Sequence, residues 1–261
     1  MRTYLFIDGG YLRRNYADSV RPWFGSDGEI DFQQMKGGYG AERCFYYDAL
    51  EDERRQNETE DQFRLRIAQD ESFFNKIEES DGFFVRLGSV TGQRRRRQKK
   101  VDIMLAVEAL DHAVRRNMDR AILLTGDRDF EPLVQSLVQL GIRVDVAGDK
   151  KTTSRHLRNA ADIYRPLTFD DYHQWTIAFL RGQFPLHVIK STAPPPDASA
   201  LASGSFGDKK VLGLHFRPDM FYIHVEKYHR DGNDLTVGME KFWDRLKLYF
   251  ELQYGEIVWK N

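Results

Sequence analysis

Five short apolar runs constrain this chain more than any other feature: "TYLFIDGG", "ERCFYYDAL", "GFFVRLGSV", "RAILLTG" and "IRVDVAG". Each is rich in aromatic or β-branched residues, and several end in glycine. That pattern suits strands buried on both faces. Between the runs, apolar residues recur at helical spacing, first at Phe63, Ile67, Phe74 and Ile77, then at Ile103, Val107, Leu110 and Val114, then at Leu133, Leu137 and Leu140. Strands alternating with helices require crossover connections, which lay down a parallel sheet with helices on both sides. The expected fold class is therefore α/β.

The pattern changes at residues 191–208, "STAPPPDASALASGSFGD", which lack apolar periodicity and read as an exposed flexible linker. Beyond it, "KVLGLHF" and "MFYIHVEKY" predict strands, "MEKFWDRLKLYFELQ" a helix with Phe242, Leu246 and Tyr249 on one face, and "EIVWK" a last strand. The expected organisation is a main domain over 1–190, the linker, and a small α+β appendage over 209–261. So small an appendage is marginal alone and suited to docking, for instance as the surface of a homodimer. The C-terminal aromatics Phe242, Trp243, Tyr249 and Phe250 read as core rather than as a base-stacking platform.

The chain carries 39 Lys and Arg against 40 Asp and Glu, a net charge of -1, so any affinity for nucleic acid must come from a local basic patch. Its single cysteine, Cys44, allows no intrachain disulfide and no Cys-rich zinc site. The seven histidines show no HExxH pairing. No run approaches the length of a membrane span, and "YLFI" is too short for a signal peptide, so the expectation is a cytoplasmic protein with no membrane partner.

Ligands of open α/β sheets sit beyond the carboxyl ends of the strands. There the sequence places acids: Asp8 after "YLFI", and Asp127 with Asp129 after "AILLTG". Asp102, in "KKVDIMLAVEAL", opens a helix after the third run. Three or four carboxylates gathered at one edge repel one another unless a cation neutralises them, and hard oxygen ligands favour Mg²⁺ or Mn²⁺ over zinc. Such a site suits phosphodiester chemistry, in which a metal-activated water attacks phosphorus.

Four segments, "FIDGGYL", "KKVDIMLAVEAL", "AILLTGDRDFEPLVQSLVQLGIRVDVAG" and "SRHLRNAADIYRPL", together resemble in order the NYN-domain nucleases of the PIN-like superfamily, over roughly residues 1–168. The resemblance implies a PIN-like parallel sheet sandwiched by helices and a metal-dependent endoribonuclease acting on single-stranded or looped RNA. It matches Asp8, Asp102 and Asp127 to the family's acidic positions, with Asp129 as a fourth. Proteins of this family commonly carry Asn soon after "DG"; here the stretch is "DGGYLRRN", and the nearest Asn is Asn15.

Each residue also has a plainer reading. Asp8 taken singly is a turn former before Gly9 and Gly10, Asp102 opposes a helix dipole, and Asp129 is a helix N-cap ahead of Pro132. Their joint occurrence in family order turns the balance to a shared metal site. The run "RRRRQKK" puts Arg94, Arg95, Arg96, Arg97, Lys99 and Lys100 directly before Asp102, where phosphate-contacting cations belong. Thr125 either contacts a metal-bound water or satisfies a backbone group, and Arg128 either contacts substrate or neutralises its neighbours. Ser154 is first an N-cap and second a substrate contact; Asp162 is a peripheral ligand candidate. The rival function is a catalytically inactive NYN-fold module that binds RNA or protein. A phosphatase would need an acid nucleophile in a DxDxT-type loop, which "DGG" does not provide.

Overall fold

The structure, a computed structural model, describes residues 1–50, 53–88 and 94–260, and of 94–99 the backbone alone. The chain divides into two compact units: Met1–Ala17 with Glu29–Leu167, and Asp18–Gly28 with the residues from Thr168 onward.

The first unit runs β1 (Thr3–Asp8), α1 (Gly9–Phe24, shared with the second unit), α2 (Phe32–Tyr39), β2 (Arg43–Ala49), α3 (Glu60–Glu78), β3 (Phe83–Gly88), α4 (Arg94–Val114), β4 (Arg120–Leu124), α5 (Glu131–Gln139), β5 (Arg143–Asp149), α6 (Arg155–Ala160) and β6 (Ile163–Leu167). Six strands form one sheet in the order β3-β2-β1-β4-β5-β6, every neighbouring pair parallel. The chain winds outward from β1 to β3, then returns to place β4 on the other side of β1. The carboxyl ends of β1 and β4 therefore flank the topological switch point, where neighbouring connections diverge and leave a crevice.

Alternation along the strands supplies both faces of the core. Tyr4, Phe6, Phe45 and Tyr47 pack with Val101, Leu105, Ala109 and Ala113 of α4 and with Leu133, Val134 and Leu137 of α5. On the opposite face, the Tyr46 ring meets Phe32 of α2 and Phe74 of α3. Helix α3 begins with a capping box in which Thr59 and Gln62 each accept the other's backbone N–H.

The buried stripe of α4 differs from the expected one. Ile103, Val107 and Val114 are exposed by 61%, 61% and 67%, while Val101, Leu105, Ala109 and Ala113 face the sheet. Helix α4 carries two apolar stripes, and the one containing two alanines lets the helix approach the strands closely. Strand β6 has no apolar run to announce it. It is held at the sheet edge by parallel pairing with β5 and by an ion pair from Arg165 to the fully buried Asp145, which also pairs with Arg120.

The second unit contains α7 (Phe169–Trp175), α8 (Ala178–Gln183), β7 (Val188–Ser191), β8 (Ser199–Phe206), β9 (Lys209–Phe216), β10 (Met220–Val225), β11 (Leu235–Glu240), α9 (Trp243–Gln253) and β12 (Val258–Trp259). Its strands form an antiparallel sheet in the order β12-β8-β9-β10-β11-β7. The division after Leu167 replaces the expected boundary near residue 190, and half of the expected linker is strand β8. The small residues of β8 allow close approach rather than flexibility: a Cβ at Gly204 would sit 2.6 Å from the Val258 carbonyl oxygen. Residues Met239 and Glu240, expected in the last helix, end β11 instead; α9 buries Leu246, Tyr249 and Phe250, and Phe242 before it is 62% exposed. Among the described residues, no helix is long and apolar enough to cross a membrane.

Candidate active site

Asp8 closes β1 and also caps α1, its Oδ1 accepting the Tyr11 backbone N–H at 3.0 Å. Its Oδ2 accepts the Thr125 hydroxyl at 3.0 Å, and the Thr125 oxygen accepts the Asp127 backbone N–H at 3.2 Å. Thr125 thus ties the end of β1 to the loop after β4 across the switch point. It is 1% exposed with its hydroxyl committed on both sides. Gly9 permits the tight start of α1, since a Cβ there would lie 2.6 Å from the Tyr46 ring and 2.7 Å from Asp48 Oδ2. It serves close approach, not a turn.

Asp127 caps the short 3-10 turn Arg128–Phe130, accepting the Asp129 N–H at 2.9 Å. The cap expected of Asp129 therefore belongs to Asp127, and α5 starts from Phe130 without a side-chain cap. Asp102 completes the set; α4 begins at Arg94, so Asp102 lies in its third turn and does not open the helix as expected. Burial, then the negative charges of Asp8, Asp127 and Asp129, push its carboxyl up to about 7. Burial likewise raises Asp8, against the hydrogen bonds from Tyr11 and Thr125, with Asp48 and Asp127 adding to the rise. Residues separated by about a hundred positions in sequence thus feel one another's charge at one sheet edge.

Among the described residues, no group of three or more Asp, Glu, His or Cys side chains stands at ready metal-ligating geometry. The hydrogen bonds explain the spacing: Asp8 and Asp127 each hold a backbone N–H, and like charges keep apart. The donor chemistry nevertheless fits a hard divalent cation, which draws on few carboxylates and keeps several waters. The carboxylates with a direct claim to such an ion are Asp8, Asp102 and Asp127, with Asp129 beside them.

Other expected residues fall elsewhere. Ser154 sits at the N-cap position of α6 without a side-chain cap bond; its backbone N–H donates to the Gly126 carbonyl at 3.1 Å. Asp162 accepts the Val144 N–H at 2.8 Å at the amino end of β5, away from the carboxyl edge, and so is no peripheral ligand. Asn15 donates to the Tyr11 carbonyl one turn earlier in its own helix, which removes it from the acidic group. Arg128 is exposed and lies 3.8 Å from Glu131. Lys100 is exposed. The side chains of Arg94, Arg95, Arg96, Arg97 and Lys99 lie outside the described residues, while their backbone forms the first turns of α4.

One acid escaped the sequence reading. Asp48, near the end of β2, is 6% exposed and adds to the field at Asp8. It is held by the Arg13 guanidinium at 2.9 Å, by the Tyr46 hydroxyl at 3.3 Å and by the Ala49 N–H at 2.8 Å. The signal was present: "CFYYD" ends in Asp just as "YLFID" does.

The NYN domain family matches residues 2–168. Among solved structures, the chain is similar to a protein of unknown function from Vibrio parahaemolyticus RIMD 2210633, with 22% identity over 65% of this chain and 94% of that one. The TM-score of 0.47 makes that likeness too loose to bear on function. No curated protein matches the chain. The family match spans more than half of the sequence and covers the whole parallel sheet with its acidic edge, so the chain belongs to the NYN-domain family, a group of PIN-like hydrolytic nucleases.

Proposed function

We propose that the protein is a metal-dependent endoribonuclease that cleaves single-stranded or looped RNA at the carboxyl edge of its parallel sheet. The observation that carries this reading is the negative charge gathered about Asp102: burial first, then Asp8, Asp127 and Asp129, raise its carboxyl to about 7. Carboxylates arranged to repel one another cost stability unless the function supplies a positive charge.

Asp8, Asp102 and Asp127, with Asp129 as a fourth, would hold Mg²⁺ or Mn²⁺. When bound, the ion supplies a nucleophilic water at neutral pH and neutralises charge on the phosphoryl oxygens. The chain's own groups do the remaining work. Thr125 fixes Asp8 in rotamer and couples it to the Asp127 loop. Burial of the edge lowers the local dielectric, which strengthens every charge contact made there. Lys100 and the basic first turns of α4 attract the RNA backbone and seat the scissile phosphate, a task of position rather than of sequence choice.

Incubation of a fluorescent single-stranded RNA with the purified protein and Mg²⁺ or Mn²⁺, beside an Asp127→Asn preparation, tests the reading. Cleavage by the wild type alone is the expected result. RNA bound but never cut under any divalent ion would make the protein a non-catalytic module of the same fold.

A further inference from the structure

The loop between β5 and α6 carries Lys150 and Lys151, and Arg155 opens the helix; all three are exposed. Among the described residues none of the three forms an ion pair. Asp149, the acid that ends β5, is occupied, its Oδ1 accepting the Lys151 and Thr152 backbone N–H groups at 2.7 and 3.1 Å.

This loop is built into the acidic edge. Tyr11 lies between two glycines that leave room for it: a Cβ at Gly126 would sit 2.7 Å from its ring, and one at Gly148 3.1 Å from its hydroxyl. The hydroxyl accepts the Asp149 N–H at 2.7 Å and lies 3.1 Å from the Thr152 hydroxyl. The backbone N–H of the same Tyr11 holds Asp8, and the Ser154 N–H holds Gly126, next to Asp127. One residue therefore sets both a carboxylate of the site and the segment that carries Lys150, Lys151 and Arg155. Since β5 neighbours β4 and the Ser154 N–H reaches the Gly126 carbonyl at 3.1 Å, that loop stands beside the Asp127 loop.

We propose that Lys150, Lys151 and Arg155 contact RNA phosphates flanking the one being cut, and that Tyr11 is the positioning residue that holds their loop against the acidic edge. The inference rests on the nuclease reading and deepens it. An RNA backbone is the partner that fits: the anion must pass directly beside carboxylates, which phosphates do when they bring cations with them. Lysines offer adaptable point charges, and the arginine fork matches two phosphoryl oxygens. The exposed Thr152 hydroxyl adds a neutral donor of the kind common at phosphates.

The test uses the full chain with Asp127→Asn, so that RNA is bound without being cut, and measures affinity for single-stranded RNA at several salt concentrations. Lys150→Ala, Lys151→Ala and Arg155→Ala are combined in one variant. A charge-matched control replaces Arg115, Arg116 and Arg143 near the amino ends of β4 and β5, and melting curves verify folding of both. The loop variant should bind at least about tenfold more weakly near 0.1 M salt, with the salt slope reduced by roughly 0.7 for each lost phosphate contact; the control should keep the slope. Tyr11→Phe should weaken binding about fivefold with the loop cations present and not at all without them, a coupling that general destabilisation does not produce. Equal slopes for loop variant and parent overturn the proposal, and if the Asp127-intact protein still cuts RNA, the nuclease reading survives that result. If no form binds RNA, both fall together.

Discussion

The parallel sheet holds two sets of aspartates whose fates are opposite. In the body of the sheet, Asp145 is completely buried and answered by Arg120, Arg165 and, at 3.9 Å, Arg143. At the amino edge, Asp119 takes both the backbone N–H and the guanidinium of Arg2. At the carboxyl edge, Asp8 and Asp127 accept only hydroxyl and backbone donors, and the charges that shift Asp102 are all negative. The same side chain is thus a structural clamp where arginine meets it and, on the reading proposed above, a cation ligand where none does. Asp48 stands between the two cases, close enough to raise Asp8 yet paired with Arg13.

This contrast is sharpest in substitutions. Asp127→Asn should abolish RNA cleavage, by more than the roughly 10–100-fold that follows loss of a group outside the inner metal shell, while the melting curve stays intact. Asp145→Ala should do the reverse. It strands Arg120 in the sheet and should lower unfolding stability by about 3–5 kcal/mol in a denaturant titration, with activity per folded molecule unchanged. If the two variants exchanged phenotypes, the division into clamp and site would be wrong.

The pH dependence separates the sets again. Asp102 rises from an ordinary carboxyl value of 3.8 to about 7 on folding, so the folded state binds its proton more tightly than the unfolded state. Its effect is to make metal-free stability fall as pH rises between those two values, with the full loss present above about 7. Added Mg²⁺ should therefore raise the thermal midpoint more near pH 8 than near pH 5, and Asp102→Asn should remove that difference. The smallest effect belongs to Arg128→Ala. Its contact with Glu131 is long and exposed, and stability should change by less than about 0.5 kcal/mol.

Legibility in the sequence follows the same physics. The five apolar runs became β1 to β5, and the acids at the ends of two of them were visible because a strand end is a local pattern; Asp102 was visible as an acid, but its place in the third turn of α4 rather than at a helix start was not. Strand β6 was not visible, since "IYRPL" owes its place to Asp145 and to pairing with β5. Strand β8 was hidden for a related reason: its Ser, Ala and Gly look like a linker until Val258 and β9 are brought against them. Thr125 was open to two readings because one hydroxyl says nothing of its partners until Asp8, 117 residues away, arrives beside it.

Alone, then, the sequence determined the alternation of strand and helix, the α/β class of the first unit and the candidate carboxylates. These rest on periodicity and on residue type within a few positions, which chain connectivity alone imposes. Tertiary structure decided which stripe of α4 is buried, which aspartates are met by arginine and which feel only negative charge, and that Tyr11 joins a carboxylate to a basic loop. Each of those depends on strand order and register between segments distant in sequence, where the energy of a charge is fixed by its neighbours in space.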